Sequence, residues 1–158
     1  MKIGTWKLDK RVINQTERAL LVGAHEVFAI WTAPKLAGGA DEMLVDGCIV
    51  PRQKPGVSAS GVWVHIEGEE LQRIQLQNFA DGRRSVIQLH SHPGADVRMS
   101  LLDREWEVVR HIGALSIIVP HYGRTGLALH AGANIYERDE DDWRLWSSQE
   151  AQDRLVIA

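Results

Sequence analysis

The spacing of apolar residues predicts a mixture of helices and strands along this chain. Apolar side chains recur at helical intervals within residues 8–21, 69–80 and 101–112. Each segment ends near a glycine, a residue typical of helix C-termini: Gly23, Gly82 and Gly113. Short apolar or alternating runs predict strands at residues 26–31, 43–50, 62–66, 85–90 and 115–119, and a hairpin that pairs 127–130 with 134–137. Because these elements lack a regular βαβ alternation, the pattern predicts the α+β class.

The pattern contains no obvious boundary between domains. Two stretches rich in glycine and proline, residues 34–41 and 51–60, are predicted to be loops, and both are too short to be linkers. A length of 158 residues corresponds to about one domain. We therefore expect residues 1–158 to form a single domain, with the tail around Trp143 and Trp146 packed on its body.

Composition restricts the chemistry that is open to this chain. Its 18 basic and 21 acidic residues give a net charge of −3, which is not the basic footprint of a nucleic-acid-binding protein. Cys48 is the single cysteine, so a metal site would need histidine and carboxylate ligands. The N-terminus lacks a signal-peptide pattern, and the longest apolar stretch is too short to span a bilayer. These features predict a cytoplasmic protein with no membrane partner.

Two histidines lie at the end of a predicted strand and are followed by an aspartate. His90 and His92 are two residues apart, so their side chains project to the same side of an extended chain. A loop of seven residues then leads to Ser100 and to Asp103 at a predicted helix start. Two histidines and one carboxylate form the kind of ligand set that holds a catalytic zinc ion with a fourth position free for water. The spacing of Ser100 and Asp103 is also that of a helix capping box, and one geometry can serve both purposes.

Glu26 is a second unusual feature, because it is a carboxylate within the apolar stretch 22–31. It either begins the predicted strand in solvent or is buried, and burying an unpaired charge is unfavourable. A buried glutamate beside a metal site can act as a general base and then as a general acid.

These residues together resemble the JAMM motif of the JAB/MPN zinc metalloprotease family. The resemblance rests on Glu26 and on the spacing His90-x-His92, seven residues, Ser100-x-x-Asp103. It implies a JAB/MPN fold, a central mixed β-sheet flanked by helices, with Zn²⁺ bound by His90, His92 and Asp103. It also implies that Glu26 is the general base and acid and that Ser100 stabilises the oxyanion. Ala29 stands where many members have glycine, a change that does not affect this chemistry.

The resemblance is strongest to compact bacterial JAB proteins, and it implies a substrate and partners. The expected activity is hydrolysis of the bond after the C-terminal glycine of a ubiquitin-like protein, in precursor processing or deconjugation. Such proteins accompany activating-type and conjugating-type enzymes in bacterial operons, some of them antiviral, so these enzymes are expected partners. Residues 54–60 are a candidate edge on which the tail of the ubiquitin-like protein adds a strand, or else an ordinary solvated turn.

Three alternative functions remain open from the sequence. The first is a hydrolase that removes a small adduct, such as cysteine, from a ubiquitin-like sulfur-carrier protein. The second is a non-catalytic MPN scaffold, although such modules usually lose motif residues and this chain retains them. The third is an iron enzyme that uses two histidines and a carboxylate, to which Glu26 and Ser100 are less suited.

Overall fold

The structure is a computed structural model that describes residues 2–35, 41–58, 61–105 and 107–158, with the backbone alone for residues 57, 58, 61 and 62. The strands of this part are β1 (Thr5–Leu8), β2 (Phe28–Pro34), β3 (Glu42–Val45), β4 (Gly47–Ile49), β5 (Lys54–Ser58), β6 (Gly61–His65), β7 (Arg83–Ser91), β8 (Leu115–Val119), β9 (Asn134–Arg138), β10 (Trp143–Leu145) and β11 (Leu155–Ile157). The helices are α1 (Lys10–Leu20), α2 (Gly68–Asp81), α3 (Leu101–Glu105) and α4 (Ser148–Arg154), with a 3₁₀ turn at His121–Gly123.

A six-stranded mixed sheet lies at the centre of the molecule. Its order is β10-β9-β8-β7-β2-β4, and the β7–β8 pair is parallel while the other neighbours are antiparallel. β8 is apolar at four of its five positions and is buried throughout, and β7 is buried from Val86 to Ser91, as expected for central strands with both faces covered. The predicted α+β class with a central mixed sheet is therefore confirmed, and this architecture is consistent with a JAB/MPN-like fold.

Each face of this sheet has its own hydrophobic core. Trp6, Trp31 and Leu89 belong to the core on one face, which also includes residues of α1 and of a small parallel sheet ordered β11-β1-β3. Phe28 and Ile30 belong to the core on the other face, together with residues of α2 and of the β5–β6 hairpin.

The predicted second helix is present as α2, but its inward face is more polar than the pattern indicated. Glu70 is only 2% exposed, and its carboxylate accepts hydrogen bonds from the Arg73 guanidinium and from the backbone and guanidinium of Arg52. These bonds, the one from the Arg73 side chain above all, lower the pKa of Glu70 to about 2. The apolar spacing that predicts this helix places Phe79 on one face with Leu71 and Ile74, but Phe79 is 77% exposed. Leu76 is 64% exposed.

Two predictions around the β3–β5 region are corrected. The single strand predicted at 43–50 is divided at Asp46, whose backbone N–H donates to the Thr32 carbonyl and whose carboxylate pairs with Arg83. As a result, β3 joins the small parallel sheet and β4 joins the central one. The loop predicted at 51–60 contains β5, while residues 36–40 of the loop predicted at 34–41 lie outside the described residues.

The third predicted helix, 101–112, is wrong for residues 107–112, which are not helical, since α3 spans Leu101–Glu105. The side chain of Gln88 explains the difference. Its Oε1 atom accepts hydrogen bonds from the backbone N–H groups of Val108 and Val109, which ties this segment to β7 instead of to a continuing helix. Gly113 then adopts a positive φ of 91° before β8 begins.

The hairpin predicted from 127–130 and 134–137 is also corrected. Gly126 and Ala128 have positive φ values of 83° and 52°, which an extended strand does not allow. Residues 134–138 form β9 as predicted, but β9 forms a hairpin with β10. The predicted packing of the tail is confirmed, because Trp143 and Trp146 are buried. The sequence pattern did not predict β1, α4 or β11.

Candidate metal centre

The two histidines lie at the end of the most central strand of the sheet. Because β7 lies between β2 and β8, His90 is only 3% exposed. Its ring stacks on that of Phe28, its partner on β2, with the ring centroids 5.8 Å apart and the planes 6° from parallel. His92 follows one residue after the strand end and is adjacent to His90 on the same side.

The three predicted ligands converge on one point. The Nε2 atoms of His90 and His92 are 3.1 Å apart. The Asp103 carboxylate reaches both rings, with Oδ1 3.1 Å from His90 Nε2 and Oδ2 3.3 Å from His92 Nε2. Ligands 2.0–2.1 Å from one zinc ion at tetrahedral angles lie about 3.3 Å from one another. The separation of the two nitrogens, and that of each nitrogen from one Asp103 oxygen, is therefore close to the spacing of ligands around one zinc ion.

Hydrogen bonding orients the His92 ring for this role. Its Nδ1 atom is 2.9 Å from the backbone carbonyl of Asp96, and because a carbonyl can only accept, Nδ1 carries the proton. In the neutral ring, Nε2 is then the atom with a free lone pair. Burial alone would lower the pKa of His92, but hydrogen bonds to Asp103 and to the Asp96 carbonyl raise it. His90 Nδ1 is buried with no partner among the described residues, so the hydrogen bonds of that ring are at Nε2.

Asp103 serves as a helix cap and also faces the histidines. Its Oδ2 atom accepts a 2.8 Å hydrogen bond from the Ser100 backbone N–H, and Ser100 Oγ accepts a 3.1 Å bond from the Asp103 backbone N–H. This reciprocal pair fixes the start of α3 and holds the carboxylate toward both rings. Burial alone would raise the pKa of Asp103, but the hydrogen bonds to His90 and His92 hold it far below its ordinary value.

Glu26 lies beside these three groups and is buried, with 4% exposed. It precedes β2, and one ligand-type atom from each of Glu26, His90 and His92 falls within 4.8 Å of the other two. Burial raises the pKa of Glu26 to about 7, an effect opposed by His92 and reinforced by the Asp103 carboxylate. The solvent-exposed alternative for Glu26 therefore does not hold, and its carboxyl group is poised to change protonation near neutral pH.

Ser91 attaches the Glu26 segment to the histidine strand, a contact that the sequence analysis missed. Its backbone N–H donates to the Val27 carbonyl at 3.2 Å, and its Oγ accepts from the Val27 N–H at 3.1 Å. Val27 directly follows Glu26, so Ser91 fixes the position of the glutamate relative to the two histidines. The available signal was a small hydroxyl residue between two histidines in a buried strand.

An open cavity of about 720 Å³ gives access to the centre. Glu26, His92 and Ser100 line it together with the loop from Pro93 to Met99. Two imidazoles and one carboxylate suit zinc and also iron. The structure thus brings together Glu26, His90, His92, Ser100 and Asp103, while their roles in binding and catalysis stay predictions.

Comparison with known proteins gives one curated relative and a structural match. No protein-family model matches the chain. A protein of Sinorhizobium fredii named probable metalloprotease y4jG is 30% identical over 100 residues, which span 63% of this chain and 59% of that relative. The chain therefore matches less than two thirds of the length of this relative.

A solved structure is similar to this chain in fold, and the similarity supports a conclusion about the fold but not about function. The solution structure of protein DSY2949 from Desulfitobacterium hafniense superposes with a TM-score of 0.67 and 12% sequence identity, covering 98% of this chain and 93% of that one. None of the helices in the described part of the chain is both long and apolar enough to cross a membrane. The chain therefore shares its α+β architecture with a known structure over nearly its full length.

Proposed function

We propose that this chain is a zinc-dependent JAMM-type peptidase that hydrolyses the bond after the C-terminal glycine of a ubiquitin-like protein. The observation that carries the proposal is the convergence of His90 Nε2, His92 Nε2 and the Asp103 carboxylate, with buried Glu26 beside them. The coarser part of the proposal, a metal-dependent hydrolase, is also supported by the relative named a probable metalloprotease. The ubiquitin-like substrate rests on the motif resemblance.

Each residue of the centre has a separate role in the proposed hydrolysis of an amide bond. His90, His92 and Asp103 would hold the ion, which when bound supplies Lewis-acid polarisation and lowers the pKa of water. A Glu26 carboxylate oxygen takes a proton from the attacking water and returns it to the leaving amine, a cycle suited to a pKa of about 7. Ser100 lines the same cavity, where its hydroxyl donates a hydrogen bond to the oxyanion.

The β5–β6 hairpin offers an edge for the tail of the substrate. β5 pairs with β6 on one side, and its other edge is unpaired among the described residues. The Gln53 side chain anchors the base of this hairpin to the Phe28 backbone, accepting from its N–H at 2.6 Å and donating to its carbonyl at 2.9 Å. Trp63 and Val64 of β6 line a small cavity with His90 and Asp103. An extended tail that adds to β5 would be held close to the metal centre.

The test combines metal analysis with two types of substrate. The purified protein is analysed for bound metal and incubated with a ubiquitin-like protein of the same genome, presented as a lysine isopeptide conjugate and as a cysteine adduct. We expect bound zinc, chelator-sensitive cleavage after the terminal glycine, and no cleavage by Glu26→Gln despite retained metal. Cleavage by a metal-free protein in chelator would refute the mechanism. Release of cysteine from the adduct, with no cleavage of the lysine conjugate, would instead establish that the protein is an adduct hydrolase.

A further inference from the structure

A second large groove, of about 730 Å³, lies away from the metal ligands. It is formed between α2, the beginning of β7 and the segment 107–111, and none of its lining residues belongs to the metal centre. The floor is apolar: it consists of half-buried Leu71 and of Ile30, Ile74 and Val109, which are buried. The volume is in the range of roughly 300–1,000 Å³ in which proteins bind ligands.

The sides of this groove carry positive charge that nearby carboxylates do not neutralise. Lys35, Arg84 and Arg110 line it, and none of the three has a carboxylate partner among the described residues. Among the described residues that line it, Glu107 is the one acidic residue. The Glu107 carboxylate already accepts from Arg138 Nη1 at 3.2 Å and from Trp143 Nε1 at 2.7 Å. The groove therefore has an excess of cations in a chain whose net charge is −3.

This excess is a local feature, because most arginines of the described chain form ion pairs. Arg84 makes instead a 3.8 Å contact with the sulfur of Met43. The Lys35 ammonium lies 5.3 Å from the centroid of the exposed Phe79 ring, an arrangement that places a cation beside an apolar surface. An occupant with both carboxylates and an apolar side chain would complement these features.

The groove also lies on the same face of the sheet as the metal centre. Ile30 in its floor is two residues from Phe28, whose ring stacks on His90, and both residues belong to one hydrophobic cluster. Ser85, at the far end, is five residues before His90 on β7. At about 3.3 Å per residue, this separation is about 17 Å. A polypeptide held at the metal centre therefore reaches the groove with a short extended segment.

We propose that this groove binds an acidic segment of the protein substrate, with an apolar side chain of that segment on its floor. The cations come from three separate parts of the chain, after β2, within β7 and after α3, which suits carboxylates distributed along a polypeptide. Identification of the bound polypeptide as the substrate rests on the proposed function. The acidic, partly apolar character of the ligand rests on the groove alone.

Fluorescence anisotropy with labelled peptides tests the proposal on the intact protein. The probe alternates Glu and Leu, and a matched peptide carries Gln in place of Glu. We expect the acidic peptide to bind about tenfold more tightly than its Gln counterpart and to weaken as salt rises from about 50 to about 300 mM. Arg84→Ala with Arg110→Ala should weaken binding of the acidic probe about tenfold. Arg18→Ala with Arg124→Ala, the same change of charge outside the groove, should leave it unchanged.

Three results would overturn the proposal: equal binding of the two peptides, unchanged binding by a folded groove variant, or tighter binding of inorganic pyrophosphate than of the acidic probe. The last would assign the groove to a small anion. Thermal melts establish that both double variants are folded. Because the peptides lack a cleavage site, binding is scored independently of catalysis. If the unsubstituted protein cleaves in a metal-dependent way but does not bind the acidic probe, the groove proposal alone is refuted. If it binds the probe but shows no metal-dependent cleavage, the proposed function alone is refuted.

Discussion

Removal of the Ser91 hydroxyl should displace Glu26 without changing the amount of bound metal. In Ser91→Ala, the Val27 N–H loses its acceptor in a place where both residues are buried. An unsatisfied buried donor costs about 1–3 kcal/mol, so the free energy of unfolding should fall by that amount. For a chain of this length, Tm should fall by about 2–12 °C.

The catalytic effect should exceed what this loss of stability explains. Ser91→Ala leaves the donor atoms of His90, His92 and Asp103 in place, so the bound metal should be unchanged. Of the two hydrogen bonds between Ser91 and Val27, the variant keeps only the one from the Ser91 N–H to the Val27 carbonyl. The segment that carries Glu26 is then held less firmly, so the Glu26 carboxylate can shift. A displacement of about 1 Å costs on the order of 100-fold in rate, so we expect kcat to fall about 10- to 100-fold with KM little changed.

Ser116→Ala is the matched control. Ser116 is also buried, and its Oγ accepts a 3.2 Å hydrogen bond from Gln88 Nε2 on the adjacent strand. Its loss should give a comparable fall in Tm with kcat preserved, and Ser91→Thr, which keeps the hydroxyl, should recover kcat. Melting curves, metal content and steady-state cleavage of the conjugate are the three assays. Equal kcat values for the two alanine variants would refute the positioning role of Ser91.

Three further predictions use single substitutions. Glu26→Gln should retain metal and lose at least about 100-fold in kcat, since its side chain can no longer take a proton; activity near the original level would exclude this role. His92→Ala and Asp103→Ala should each lose metal and activity together, whereas His111→Ala should lose neither, as metal analysis would show. Glu70→Gln should lower the free energy of unfolding by about 1–2 kcal/mol at pH 7, a value reduced by solvent around its arginine partners. The pKa of Glu70 in the folded protein, about 2, lies below its ordinary value of 4.5. The stabilisation by its carboxylate is therefore present above pH 4.5 and is lost as the pH falls toward 2. The free energies of unfolding of the two proteins, measured with a chemical denaturant, should become equal in acid.

The parts of the fold that were predicted correctly are those that local pattern determines. The run from Leu115 to Val119 is apolar at nearly every position, and such a run is stable only where both faces of a strand are buried. The helix predicted at 101–112 failed because a distant side chain, Gln88, supplies acceptors for the backbone of Val108 and Val109. No local pattern can show such a contact. Phe79 was misplaced for a related reason: Glu70, a polar residue whose carboxylate pairs with Arg52 and Arg73, is buried on the inward face of α2 while Phe79 is exposed.

For the candidate site, the types of residue were predictable from the sequence, whereas the contacts that position them were not. The types and spacing of His90, His92 and Asp103 were visible in the sequence, because metal ligands require specific side chains. The hydrogen bond from His92 Nδ1 to the Asp96 carbonyl could not be predicted, because any residue at position 96 provides a backbone carbonyl. The role of Ser91 depends on the direction of its side chain toward Val27, which requires knowledge of how the preceding segment runs.

The sequence left open whether Asp103 is a helix cap or a ligand because both roles use the same carboxylate. The structure shows that they are compatible. Oδ2 accepts from the Ser100 backbone at 2.8 Å while the two carboxylate oxygens remain 3.1 and 3.3 Å from the histidine nitrogens. A cap restrains the carboxylate before any ion arrives, which reduces the ordering needed on metal binding. The cap therefore belongs to the candidate metal centre, and the capping signal in the sequence is consistent with the prediction that Asp103 binds metal.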